Sequence, residues 1–235
     1  MPIAGKGMLL TSMDIDAADE ADFNRWYDRE HLEERVAIEG FLEARRYVAH
    51  QGAPKYLCLY STTTIGVFNS AAYKARLANP TEWSQKTMAR FKNMIRAVAR
   101  ITISRGNGRG AALGIIRLRP AKGSEESLRS FFRDVLDPRK FDGIISMHLI
   151  ENDPVLSAPA AGIPSVSTGS ADWFVLIDAI DVDAASRAAL SALIVNSKFK
   201  LSVVSTGTYR LMWDLSNSEI TRLNGQILNA ALPHK

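Results

Sequence analysis

The order of elements along this chain is repeated once, and that repetition constrains the fold more than any motif does. Gly7 to Ile15 is a short apolar run bounded by glycine and acids, which predicts a strand. Asp16, Asp19 and Asp22 put negative charge where a helix start favours it. From Ala21 to about Val36 the pattern is helical, with Phe23, Trp26, Tyr27, Glu30, His31 and Glu34 sharing a face at three- and four-residue spacing. Gly40 ends this stretch, and strands follow over Phe41–His50 and Tyr56–Thr62, joined by the turn Gln51-Gly52-Ala53-Pro54. Asn69 to Leu77 reads as a helix, Thr81 opens another reaching about Met94, and Ala97 to Arg105 is a fourth strand. After Asn107-Gly108-Arg109-Gly110 the same order returns. It runs through a strand over Ala111–Leu118, a helix from a Ser124 cap to Leu136, strands over Phe141–Glu151 and Trp173–Asp181, a helix over Asp183–Asn196 and a strand over Thr208–Leu215.

Each half is thus β-α-β-β-α-β, the split unit of ferredoxin-like folds, and the fold class is α+β. The expected division is a first repeat over 1–106, a linker over 107–110, a second and degenerate repeat over 111–216, and a C-terminal helix and tail over 217–235. The helix is expected over Ser218–Ala230, packed on the outside. Strands Tyr56–Thr62 and Trp173–Asp181 are apolar on both alternations, so the sheet face left bare by the helices must also be buried. Laying the two bare faces together closes one barrel, whose interior is the expected small-molecule pocket. The Pro154–Ala171 insertion, rich in Pro, Gly, Ala and Ser, is expected to be a lid or a disordered flap.

Composition narrows the functional classes. The 46% hydrophobic and 23% charged content of these 235 residues is that of an ordinary globular chain. The net charge is only +4 and the 29 basic residues are scattered, which argues against nucleic-acid binding. The single cysteine, Cys58, leaves no intrachain disulfide or cysteine-based metal site, and its place in an apolar strand reads as an inert core thiol. Met1-Pro2-Ile3 opens no signal pattern and no run reaches the length of a membrane span, so the expected compartment is the cytoplasm with no membrane partner. Gly106-Asn107-Gly108-Arg109-Gly110 precedes no helix start, which makes it a linker rather than a phosphate loop.

The stretch Trp26-Tyr27 with Glu30-His31, then Glu39-Gly40-Phe41, Arg45-Arg46-Tyr47, Tyr56-Leu57 and Leu59-Tyr60, resembles the dimeric α/β-barrel superfamily, and within it the EthD-like proteins in tandem form. Tyr73, Leu77-Ala78-Asn79-Pro80-Thr81-Glu82-Trp83 add to the likeness, which covers about residues 7 to 105. Glu33 or Glu34, and Glu39, stand where such patterns often have proline. The resemblance implies a cofactor-independent enzyme of the monooxygenase, isomerase or lyase type, acting on a small apolar carbonyl or phenolic compound in catabolism. A homodimer of the closed barrel is the further assembly expected. The competing class is a non-catalytic small-molecule-binding or accessory protein on the same barrel.

His31 is the candidate acid–base group. Placed near a helix C-terminus beside Glu30 and Glu34, it is expected to have a raised pKa; otherwise it ties down the connection to the next strand. Arg45 and Arg46, adjacent in a strand, point to opposite sides of the sheet, so one can pair with an oxyanion. Equally, they bridge to Asp28, Glu30 or Glu43 and tie helix to sheet. Tyr60 faces the cavity if Leu57 and Leu59 pack under the helices, and then donates to a substrate oxygen. Trp26, Tyr27, Tyr47 and His148 are candidate substrate contacts or core residues, and no ligand spacing supports a metal site.

Overall fold

The computed structural model describes residues 3–158, 171–196 and 202–221. The first half runs β1 (Gly7–Asp14), α1 (Glu20–Trp26), a π turn (Tyr27–His31), α2 (Leu32–Val36), β2 (Phe41–Gln51), β3 (Tyr56–Thr62), α3 (Ala71–Ala78), α4 (Glu82–Met88) and β4 (Lys92–Gly106). The second runs β5 (Ala112–Arg119), α5 (Glu125–Val135), β6 (Ile144–Asn152), β7 (Trp173–Ala179), α6 (Val182–Asn196) and β8 (Ser202–Ser216). The eight strands close a barrel in the order β1-β3-β2-β8-β5-β7-β6-β4, every neighbouring pair antiparallel. Within that ring, β4-β1-β3-β2 and β8-β5-β7-β6 are the same ferredoxin-like order twice.

Closure explains the two largest departures from the sequence pattern. β4 pairs with β1 from Lys92 to Arg100 and with β6 from Ala99 to Gly106, so it needs 15 residues and takes up Lys92–Met94, expected as the end of a helix. α4, whose N-terminus is capped by the Thr81 hydroxyl accepting from Ser84 N–H, stops at Met88. β8 likewise pairs with β5 and then with β2, and so begins at Ser202 rather than Thr208. β6 starts at Ile144, after a 3₁₀ turn over Pro138–Lys140 and a further turn through Gly143 at φ 79°. Ser124 makes no capping bond to α5; its hydroxyl donates to Ala121 O. Gly40 does end the helix, at φ 88°, and a Cβ there would meet Val67 at 2.6 Å. Residues 217–221 are helical, the rest of the expected C-terminal helix lies outside the described residues, and so does 159–170 of the insertion.

Both faces of the strands are buried, but not in the sense the sequence suggested. Leu57 and Leu59 of β3 join Met8, Leu10, Tyr47, Leu113, Phe174, Leu176 and Tyr209 inside the barrel, while Tyr56, Cys58 and Tyr60 face the helices. An eight-stranded barrel is just wide enough for its own side chains, and this one is filled by them. The expected ligand pocket inside the barrel is therefore corrected: that space is core.

Candidate functional site

One end of the barrel interior is polar and tightly paired. Arg45, about 1% exposed, donates to Glu43 Oε1 at 2.9 Å and reaches both oxygens of Asp178 at 3.4 Å. Ser146 Oγ donates to Asp178 Oδ2 at 3.2 Å, and the His148 ring lies 3.0 Å from Ser146 Oγ and 2.9 Å from Ser104 Oγ. Arg109 completes the cluster by pairing with Glu43 and Asp214. Arg45, Tyr47 and His148 thus belong to the barrel side of the sheet and share no space with His31.

The helix side holds His31, Trp26, Tyr27 and Tyr60. Their arrangement comes from the π turn, in which Leu32 N–H bonds to Tyr27 O, five residues back. Such a turn brings residues five apart onto one line, and the His31 ring stacks on Trp26 with centroids 4.1 Å apart at 25°. The Tyr60 ring stands perpendicular to His31 at 6.4 Å. Glu30 is turned away from the imidazole, accepting from Trp26 Nε1, Thr81 Oγ1 and Ser84 Oγ, and Glu34 pairs with Arg76. Arg46 also lies on this side, with both terminal nitrogens engaged and its buried Nε unbonded among the described residues. It pairs with Asp28 at 3.0 Å, donates to Asn24 and sits 4.3 Å over the Tyr27 ring, tying helix to sheet.

A half-open hollow of about 60 Å³ lies under these helices. Leu9, Thr11 and Met13 of β1, Tyr60 of β3 and Arg96 of β4 form its floor. Tyr27, His31 and Arg35 wall one side, and Tyr73, Leu77, Met88, Phe91 and Met94 form the rest. Among the described residues, four buried polar atoms that line it have no hydrogen-bond partner: Thr11 Oγ1, His31 Nδ1, Arg35 Nη1 and Tyr60 Oη. A native interior leaves few such groups, and four at one hollow make it the candidate site, to be satisfied by ordered water or by a polar ligand. The space takes on the order of two waters as it stands, and the flexible Met88 and Met94 at its edge can yield to something larger. Arg35, Thr11 and Arg96 were missed in the sequence; for Arg35 the available signal was its position one helical turn beyond His31.

The electrostatics correct the expected titration of His31. Burial first, then the positive charges of Arg35 and Arg46, hold its pKa well below the usual 6.5. The helix continues to Val36, so no terminal carbonyls face the ring, and neither glutamate does. Tyr60 is pushed well above 10 by burial, then by the neighbouring Tyr27 and Cys58. At neutral pH the hollow therefore presents an uncharged imidazole and a protonated phenol. Burial also raises the Cys58 thiol to about 11. A thiol reagent at about pH 8 is expected to leave the native chain unmodified and to label the unfolded chain fully, read by intact mass; rapid labelling of native protein would contradict that.

A larger cleft, about 560 Å³, opens on the surface beside β4, α5 and β6. Within its lining Arg139 pairs with Asp137, Arg133 pairs with Glu126 just outside it, and among the described residues none of the buried unpartnered side-chain atoms belongs to it. Among the described residues no cluster of three or more His, Cys, Asp or Glu could hold a metal, and no helix is long and apolar enough to cross a membrane.

No family model matches the sequence, and no curated protein matches it. Solved structures do match. A Fusobacterium nucleatum subsp. nucleatum protein provisionally named a monooxygenase has a TM-score of 0.57 at 8% identity, over 91% of this chain and 95% of that one. One of the same provisional name from Lactobacillus acidophilus has 0.55 at 9%, over 91% and 95%. An anthrone oxidase-like protein has 0.59 at 11%, over 91% and 94%. The shared fold is a ferredoxin-like α/β barrel. At such identities the likeness carries the fold and leaves the chemistry to the residues.

Proposed function

We propose that this chain is a cofactor-independent acid–base enzyme of the EthD-like type, acting in catabolism on a small carbonyl or phenolic compound held in the hollow under α1–α4. The observation that carries this reading is the convergence on that one space of four buried polar atoms without a partner among the described residues. His31, neutral and unbonded among the described residues, accepts the proton of an acidic C–H or O–H. The electron pair moves onto the substrate oxygen, and the Tyr60 hydroxyl donates a hydrogen bond to it. Trp26 fixes the imidazole plane by stacking. In this reading the motif-bearing residues 1–106 supply the site, and 111–216 supply the other half of the barrel.

The test is a thermal-shift screen of small phenols, ketones and aldehydes, with product analysis of every compound that binds. A ligand at 100 times its Kd should add about 2.7 kcal/mol of stability, a rise of roughly 5–11 °C for a chain of this size. The shift should shrink in Tyr60→Phe. Binding that is indifferent to both Tyr60→Phe and His31→Ala would place the ligand elsewhere and end the proposal. Recovery of every bound compound unchanged would favour the binding-protein alternative.

A further inference from the structure

Four arginines are buried among the described residues: Arg35, Arg45, Arg46 and Arg117. Three of them have a carboxylate. Arg45 has Glu43 and Asp178, Arg46 has Asp28, and Arg117 has Asp172 at 2.6 Å. Arg35, only 7% exposed, has neither an ion pair nor a hydrogen bond to its guanidinium among the described residues, and its Nη1 is fully enclosed. The neighbouring Glu34 pairs through Oε1 with Arg76 at 3.4 Å, and neither of its oxygens is paired with Arg35 among the described residues. A buried charge without a counter-ion is costly, and folds tolerate that cost mainly at binding sites.

The lining around it shows the same imbalance. Among the described residues the hollow's lining contains two arginines, Arg35 and Arg96, and no Asp or Glu. Arg96 is held in place by bonds to Leu156 O at 2.9 Å and Tyr73 Oη at 3.5 Å. The remaining walls are largely apolar or aromatic: Leu9, Met13, Leu77, Met88, Phe91 and Met94. A guanidinium fork matches a planar carboxylate through two parallel hydrogen bonds.

We propose that the ligand of this hollow is a compact carboxylate with an apolar body, its carboxylate seated on Arg35 as the missing counter-ion. This rests on the hollow being the site, as argued above, and adds to it the charge class of the compound. Arg35 is then the residue that selects anions over neutral isosteres.

The experiment compares acetate and benzoate with acetamide and benzamide, by calorimetry and thermal shift, on the full chain and on Arg35→Met and Arg35→Lys. Wild type should bind a carboxylate at least tenfold more tightly than its amide. Arg35→Met should abolish that preference, and Arg35→Lys, which keeps the charge but loses the fork, should cut carboxylate affinity about tenfold while leaving the amide unchanged. Without ligand, Arg35→Met should melt higher than wild type, because it removes an unpaired buried charge. Arg46→Met, which breaks an existing pair, should melt lower. Equal affinity for acid and amide overturns the anion assignment while leaving the hollow a site. If no probe binds, the anion assignment falls, and the hollow as a site is judged by the screen of phenols, ketones and aldehydes. An Arg35→Met chain that melts lower than wild type, or does not fold, makes Arg35 a structural cation and also overturns the proposal.

Discussion

Asp178→Ala is expected to destabilise the folded chain by about 3–5 kcal/mol, a fall in Tm of roughly 6–20 °C. Asp178 is fully buried on β7 and accepts from Arg45 of β2, Ser146 of β6 and the Gly110 backbone N–H. Its removal leaves the Arg45 guanidinium with Glu43 alone and strips Ser146 of an acceptor. Because β2 and β7 belong to different halves, the loss is felt across the barrel rather than within one sheet. The paired replacement Arg45→Met with Asp178→Leu should recover much of that stability, since apolar groups of similar volume often match a buried ion pair. Chemical denaturation of both variants is the measurement, and an Asp178→Ala midpoint at the wild-type value would show that the cluster holds nothing together.

His31→Ala is expected to lower turnover of the compound found by the screen at least tenfold without unfolding the chain, since a positioned general base contributes about 10²–10⁴-fold. The lost stack on Trp26 is worth about 1 kcal/mol, so a Tm drop of only a few degrees should accompany the loss of rate. The pH dependence follows from the lowered pKa. The folded chain keeps His31 neutral at pH values where the unfolded chain's imidazole, near 6.5, already takes a proton. The unfolded state then binds more protons, and stability falls as pH drops below about 6.5. The acid limb of kcat/KM should lie below that value too, because the base is available down to its own folded pKa. Wild-type rates in His31→Ala, or an acid limb above 7, would exclude imidazole as the base.

The fold was legible in the sequence to the extent that alternation and punctuation define it. The double-sided apolarity of Tyr56–Thr62 and Trp173–Ala179 required two covered faces, and Gly40 and Thr81 marked a helix end and a helix start. What could not be read was which face was which. A period of two separates Tyr56, Cys58 and Tyr60 from Leu57 and Leu59, yet with both faces buried no polarity labels one as interior. The same ambiguity left Arg45 and Arg46 unassigned, although their partners on opposite sides, Asp178 and Asp28, are 150 residues apart in the chain. The lengths of β4 and β8 are set by the need to pair with two strands each, which no local window records. The π turn that aims His31 inward depends on one extra residue in a helix whose spacing otherwise looks regular.

Covalent joining of the two halves has a consequence for stoichiometry. Where the first half keeps its hollow, the matching layer of the second is occupied by Leu128, Phe132, Leu136, Trp173, Ala184 and Ala185. Two identical subunits closing such a ring would be bound to carry two equivalent sites, because one sequence has to serve both. A single polypeptide is free of that symmetry. This chain should saturate at one equivalent per polypeptide along a simple hyperbola, with a Hill coefficient of about one.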